Sequence, residues 1–303
     1  MSRLLIVGAK GFIGSHAVRS FSATGRYMVY GCDVVTDYTS ENYFQIDAAN
    51  ADYQEIFQEV SFDICINCSG AASVPDSLVH PSRDFFLNTV NVYKLLDAIR
   101  RFSPHCRFIN LSSAAVYGNP LSMPVKEEES CKPVSPYGLH KEQAEMICKE
   151  FSLFFGIKTC SLRIFSAYGE GLKKQLFWDI ANKARANKEK ITLLGTGQES
   201  RDFIHVLDIV SVLELIIHKA DFAAECYNVA NGEEVTIEKA ARLLLQHLQW
   251  DGTLSFQGTS RAGDPVNWRA DISKIIQMGY APAYTIDKGL KIYVQWLREN
   301  KWV

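Results

Sequence analysis

The sequence predicts an α/β protein: a doubly wound parallel sheet with a smaller C-terminal substrate-binding lobe. Three observations predict it. Short apolar runs alternate with helix-like stretches through the first half. A glycine-rich turn joins the first run to the first helix. After about Ser166 the rhythm changes, and helical stretches are separated by irregular, glycine-containing segments. Short buried strands spaced by helices build parallel sheets covered on both faces.

The elements follow in chain order. Leu4 to Val7 reads as the first strand, Phe12 to Thr24 as a helix and Met28 to Cys32 as the second strand. Phe62 to Asn67 is another strand, followed by a long helical pattern from about Arg83 to Phe102. Arg107 to Leu111 is a strand. Pro136 to Phe155 is a helix, with Pro136 suited to its first turn and Ser135 to its cap. Ile157 to Arg163 is the last strand of the series. Helical stretches near 174–187, 207–219, 236–248 and 286–299 make up the second half.

Composition narrows the function classes. The chain has 303 residues, 47% hydrophobic and 22% charged, which excludes collagen, coiled coil and wholesale disorder. Lys+Arg (32) against Asp+Glu (34) leaves a net charge of -2, without basic runs, so a nucleic-acid partner is not expected. No apolar stretch approaches the roughly 20 residues of a membrane span. No signal-peptide pattern opens the chain, so a cytoplasmic protein is expected. The eight cysteines are scattered and need form no disulfide framework. Cys65 and Cys68 sit at the end of an apolar strand, which makes them strand-end cysteines rather than a redox pair. His205 lies in an apolar run with no candidate partner in sequence and reads as structural. None of the seven histidines has a metal-ligand spacing, so no metal is expected.

Gly8-Ala-Lys-Gly11-Phe12-Ile13-Gly14 directly follows the first strand and opens the first helix. Glycines there permit a tight turn and let a diphosphate approach the backbone, while the helix N-terminus offers free N–H groups. In this context the motif predicts dinucleotide binding in a Rossmann-type domain. Asp33 ends the second strand, where a carboxylate accepts hydrogen bonds from the ribose hydroxyls of NAD. It would repel a 2′-phosphate, and no Arg or Lys follows before Arg83, so NAD is expected rather than NADP. The expected division is 1–166 for the NAD-binding domain, with a return segment near 201–219, and 167–303 mainly for the substrate lobe. That lobe would cover the carboxyl edge of the sheet, where open α/β sheets bind ligands.

Tyr137 and Lys141 stand four residues apart, one turn apart on one face of a helix. A nearby ammonium, helped by a positive nicotinamide ring, lowers a phenol's pKa, which would let Tyr137 serve as acid or base near neutral pH. Ser112 and Ser113 close the strand that begins at Arg107, so their hydroxyls face the ligand crevice.

Taken in order, these features closely resemble the extended short-chain dehydrogenase/reductases. The resemblance continues through Leu162-Arg-Ile-Phe-Ser-Ala-Tyr-Gly169, Arg201-Asp-Phe-Ile-His-Val-Leu-Asp208, Tyr227-Asn-Val-Ala-Asn-Gly232 and Arg261-Ala-Gly-Asp264, over nearly the whole chain. The set is that of the sugar-nucleotide epimerase/dehydratase group, whose familiar member is UDP-glucose 4-epimerase. The resemblance implies Tyr137 as catalytic base, Lys141 on the nicotinamide ribose, and Ser113, not Ser112, on the reacting sugar oxygen. It places Asp47 and Ala48 beside the adenine. Cys68, Ser69, Gly70, Asn88 and Phe165 fall at the cofactor site along with Gly8 to Gly14. Arg201 and Arg261 match arginines that clamp the substrate diphosphate, with Asp264 on the nucleoside ribose. Relatives commonly dimerise through two helices, here those near 83–102 and 136–155, so a homodimer is expected.

The residues after Ser113 discriminate within the group. Its 4,6-dehydratases resemble Thr-Asp-Glu there, and its UDP-glucuronate decarboxylases carry Glu at the position of Ala115. This chain has Ser113-Ala114-Ala115, which disfavours both chemistries. The expected reaction is NAD-dependent epimerisation at C4 of a nucleoside-diphosphate sugar through a transient 4-keto intermediate. The alternative is a 4-keto-sugar-nucleotide reductase or 4-dehydrogenase with exchangeable NAD(P)(H). A non-catalytic dinucleotide sensor is disfavoured by the presence of Ser113, Tyr137 and Lys141 together. Ser166 stands where most relatives resemble Asn at the substrate diphosphate. Trp268 falls near the position of a bulky residue that restricts N-acetylated sugars.

Overall fold

The computed structural model describes residues 1–48, 50–259 and 266–302. In chain order the first half runs β1 (Ser2–Val7), α1 (Phe12–Thr24), β2 (Tyr27–Asp33), β3 (Tyr43–Gln45), α2 (Gln54–Glu59) and β4 (Ile64–Asn67). Then come α3 (Val74–Val79), α4 (Pro81–Phe85), a π-helical turn (Phe86–Val90), α5 (Asn91–Phe102), β5 (Arg107–Ser113) and a 3₁₀ turn (Ala114–Tyr117). The second half runs α6 (Pro136–Phe155), β6 (Thr159–Ile164), β7 (Ser166–Tyr168), α7 (Gln175–Ala186), β8 (Lys190–Leu193), β9 (Ser200–Arg201), β10 (Phe203–His205) and α8 (Val206–Lys219). It ends with β11 (Ala223–Val229), β12 (Val235–Thr236), α9 (Ile237–Leu248), β13 (Thr253–Phe256), α10 (Ser273–Gln277) and α11 (Ile286–Glu299).

Seven strands form one sheet in the order β3-β2-β1-β4-β5-β6-β11, every pairing parallel. The order reverses between β1 and β4, the switch point at which such sheets open a ligand crevice. The sheet is buried on both faces. Along β1, Leu4 and Ile6 join one apolar cluster with α1 and α8, while Leu5 and Val7 join another with α5 and α6. This is the two-residue alternation of a strand with helices on either side. A third cluster, around Phe177, Ile180, Leu244, Leu290 and Tyr293, forms a core for α7, α9 and α11.

Two sequence expectations are corrected here. The segment 223–229 lay in a stretch read as irregular, yet it is the seventh strand of the main sheet. Its first four residues are exposed or half-buried, and this edge position leaves no apolar run to read. The other strands after β6 have two to four residues, too short to show a period. The long pattern from Arg83 to Phe102 is helical, but the π-helical turn interrupts it and buries Asn88 and Thr89. The short elements β3, α2 and α3 also lie between the expected ones.

Helix α6 is placed by its sequence. Ser135 Oγ accepts the Gly138 N–H at 3.2 Å, and Pro136 fills the first turn. A Cβ at Gly138 would lie 2.5 Å from the Ala115 carbonyl oxygen, so glycine lets the helix start against the 114–117 turn. Further along, Glu145 pairs with Arg163 on β6 at 2.7 Å, and both side chains are less than a tenth exposed. Arg163 also donates to Tyr117 Oη at 2.8 Å and to the Glu127 carbonyl at 2.9 Å. Removing one member of a buried pair strands the other's charge. Glu145→Ala is expected to lower stability by about 3–5 kcal/mol, read as a shift of the urea midpoint at unchanged slope.

All eight cysteines are free thiols. Among the described residues no helix is long and apolar enough to cross a membrane, and no group of three His, Cys, Asp or Glu side chains is placed to hold a metal ion.

Candidate active site

The crevice is built on the glycine turn. Gly8 has φ +80°, and a Cβ there would lie 2.7 Å from the Ser69 nitrogen. A Cβ at Gly14 would lie 2.0 Å from the Gly8 carbonyl oxygen. Backbone therefore packs on backbone, between the turn, the start of α1 and the loop after β4. Gly11 precedes α1 with no side chain capping the helix, so its first N–H groups are free to meet an anion. These features fit the diphosphate of a dinucleotide. Gly14→Ala is expected to weaken NAD binding at least tenfold, because the methyl must push the turn and helix apart. Titration calorimetry measures it.

Asp33, at the end of β2, is half-buried. Its Oδ2 accepts the Lys10 N–H at 2.8 Å and its Oδ1 the Val34 N–H at 2.7 Å. A cationic residue, Lys10, precedes Asp33 in the chain and lies inside the glycine turn. Its ammonium pairs with Asp37, and that contact holds the Asp37 carboxyl well below the usual carboxylate range. Asp47 and Ala48 are exposed after β3, and Asp47 Oδ1 accepts the Asn50 N–H at 2.8 Å.

Cys68, Ser69 and Gly70 follow β4 and meet Asn88 and Lys141. A Cβ at Gly70 would lie 2.4 Å from Asn88 Oδ1 and 3.4 Å from Lys141 Nζ. Asn88 is 1% exposed, and its amide oxygen and nitrogen have no protein partner among the described residues. Such a group awaits a ligand or water. The Phe165 side chain is buried in the core, edge-on to Trp268 at 5.9 Å, and its N–H donates to the Val229 carbonyl.

Tyr137 and Lys141 are not a solvated helix pair. Lys141 is buried and donates from Nζ to the Leu111 carbonyl at 2.9 Å. Burial pulls its pKa down to about 8, against the opposing charge of Asp84. Tyr137 is half-buried, and desolvation pushes its phenol up to about 12, with a hydrogen bond from Ser113 acting the other way. The expected lowering of the phenol by Lys141 is therefore absent in the chain alone. The ammonium is engaged by the β5 carbonyl and is itself costly to charge. The two serines divide cleanly. Ser112 Oγ donates to Glu145 at 2.5 Å, while Ser113 stands beside Tyr137 and accepts the Ala115 N–H at 3.2 Å.

Among the residues expected at the substrate, the Arg201 guanidinium lies over the Trp268 ring at 5.5 Å. It donates to the Ser200 and Val266 carbonyls at 2.7 and 3.1 Å. Trp268 is a buried platform whose Nε1 donates to the Gly118 carbonyl. Ser166, on β7, donates its N–H to the Asp202 carbonyl at 2.9 Å. The Asp202 carboxylate, pushed up to about 7 by burial, accepts N–H groups of Asn231, Gly232 and Ala270 and staples the Arg201 strand in place. Arg261 and Asp264 lie outside the described residues. His205 has a partner after all: Glu170 Oε2 stands 3.0 Å from its Nε2, and its ring stacks on Tyr284. The pairing of β7 with β10 makes that meeting, which linear spacing conceals.

Known proteins share this architecture. A UDP-glucose 4-epimerase of Lacticaseibacillus casei is 26% identical over 97% of this chain and 96% of its own. The crystal structure of a Bacillus cereus UDP-glucuronic acid 4-epimerase in complex with UDP-glucuronic acid and NAD covers 98% of this chain and 99% of its own, with TM-score 0.89 at 24% identity. A dTDP-glucose 4,6-dehydratase from Streptomyces venezuelae, with NAD bound, superposes with TM-score 0.89 at 23% identity, over 99% of this chain and 98% of its own. Residues 4–230 match the profile of the NAD dependent epimerase/dehydratase family, which spans the glycine turn, the Ser113–Tyr137–Lys141 cluster and Arg201. By that match this chain is a member of the NAD dependent epimerase/dehydratase family, and its cofactor is NAD.

Proposed function

We propose that the protein interconverts nucleoside-diphosphate sugars epimeric at C4, with Tyr137 as the acid/base. One observation carries this reading. The turn after β5 brings Ser113 to Tyr137 but offers no carboxylate, because Ala114 and Ala115 are buried there. Epimerases and a dehydratase share the fold, so the residues of this turn, not the fold, favour epimerisation. Elimination across C5 and C6 needs a further acid and base; epimerisation needs one proton removed and returned.

Bound NAD would supply the acceptor and donor of the C4 hydride. The glycine turn and the start of α1 would hold its diphosphate, Asp33 its adenosine ribose, and Asn88 and Lys141 its other end. Tyr137, whose phenol the positive nicotinamide of bound NAD would bring down from its raised value, takes the proton of the sugar 4-hydroxyl and returns it to the 4-keto oxygen once the sugar has presented its other face. Ser113 orients that oxygen. Arg201, held on Trp268, grips the diphosphate, with Arg261 assigned to the same task. A firm grip remote from the reacting carbon leaves the sugar free to turn. The lobe with its own core around Phe177 and Leu244 is the substrate lobe of this reading. UDP-sugars are the first substrates to test, since the epimerases above act on them by name.

Exposed apolar residues on two helices support a homodimer: Tyr93 on α5, and Met146, Leu153 and Phe154 on α6. Light scattering is expected to give twice the mass of one chain.

Lys10 supports a second reading. Its backbone N–H binds Asp33 while its ammonium is held on Asp37, and an ammonium on that turn suits a 2′-phosphate, as in a reductase with exchangeable NADP. Mass analysis of nucleotides released on denaturing the purified protein separates the two. About one NAD per chain, with interconversion of a UDP-sugar and its C4 epimer, supports the epimerase. An empty protein that prefers NADPH and shows no interconversion overturns it.

A further inference from the structure

A buried titratable pair lies beside the reactive residues without taking part in the chemistry above. His140 Nδ1–H, on α6, donates to Asp84 Oδ1, on α4, at 2.6 Å. Asp84 is 1% exposed, and its Oδ2 has no partner among the described residues. The His140 carbonyl accepts Thr89 Oγ1 at 3.1 Å, and the Phe85 ring meets the imidazole edge-on. His140 immediately precedes Lys141, and Thr89 immediately follows Asn88. The turn of α6 that carries the reactive pair is thus tied twice to the segment that carries Asn88.

The charges converge on the same carboxylate. Lys141 faces Asp84, the Cys68 thiol and Glu145. Glu145 is neutralised by Arg163 at 2.7 Å, and burial pushes the Cys68 thiol up to about 12, which keeps it neutral. Tyr137 faces Ser113 and Asp84. Asp84 is therefore common to both, and its negative charge favours the protonated form of each.

We propose that Asp84 and His140 are positioning residues for Tyr137 and Lys141: their hydrogen bond holds the reactive turn of α6 against the Asn88 segment, and the carboxylate sets a negative charge beside both. This rests on the reading of Tyr137 as the acid/base, though not on the reaction being an epimerisation. Asp84→Asn keeps the shape and an acceptor for His140 while removing the charge. In NAD-loaded protein, the phenolate absorbance of Tyr137 is isolated by subtracting the same protein carrying Tyr137→Phe. Its midpoint is expected at lower pH in Asp84→Asn than in the unaltered chain. A midpoint that stays in place overturns the proposal, whatever happens to turnover. The double replacement Asp84→Leu with His140→Leu strands neither partner and serves if Asp84→Asn does not fold. It is expected to move the midpoint the same way and to lower kcat about tenfold, with KM changed less than about threefold. A shifted midpoint in a protein that epimerises no nucleoside-diphosphate sugar supports this proposal and sinks the function proposed above.

Discussion

Tyr137→Phe is expected to lower kcat by about three orders of magnitude while leaving the NAD content of the purified protein unchanged. The substitution removes one oxygen. The phenol hydroxyl is the group that hydrogen-bonds with Ser113, at the end of β5. Phenylalanine keeps the ring and its packing against the main apolar cluster, so the fold should be indifferent. The diphosphate cradle at Gly8 and Gly14 lies on another element and does not depend on the hydroxyl. Steady-state turnover of a UDP-sugar and mass analysis of the released nucleotide check the two halves separately. Retention of more than a tenth of the turnover would remove Tyr137 from the mechanism.

Lys141→Met is expected to abolish measurable turnover and yet raise stability by about 2 kcal/mol near pH 7. Burial brings the ammonium's pKa from its ordinary 10.5 down to about 8. The unfolded chain therefore keeps its proton up to the higher value and the folded chain only up to the lower. Between pH 8 and 10.5 the unfolded state binds more protons, so stability rises with pH across that window. Below pH 8 the charged, buried Lys141 withholds about 3 kcal/mol. Methionine fills the same space without charge, and losing the bond to the Leu111 carbonyl returns about 1 kcal/mol of that gain. Urea unfolding at pH 7 and pH 10 is the measurement. The two proteins should differ most at pH 7 and converge at pH 10. A variant less stable at pH 7 would show that Lys141 is held by a compensating charge. A lysine retained at such a cost marks a site where stability is sacrificed to function.

Much of the candidate site was legible before the fold. The glycine turn, Asp33, Ser113, Tyr137 and Lys141 each sit at a strand end or a helix start, and local signals mark those places: a glycine spacing, a capping serine, a proline in the first turn. The strands β1, β2, β4, β5 and β6 were readable because buried parallel strands are short apolar runs. β11 was not, because an edge strand keeps polar residues on its open side. The π-helical turn was not, because one extra residue in a helical turn barely changes the periodicity that a sequence displays.

What the sequence by itself determined is the order of the elements and the chemistry each end carries. Local dihedral preference and apolar period are properties of neighbouring residues, so they survive in one dimension. What only the tertiary structure decided is which groups share an environment. Glu170 meets His205, Asp84 meets His140, Glu145 takes Ser112 and leaves Ser113 to Tyr137, and Phe165 turns into the core. The pKa values of Tyr137 and Lys141 belong to the same class. Desolvation and long-range charge depend on everything packed around a group, and a spacing of four residues on a helix fixes neither.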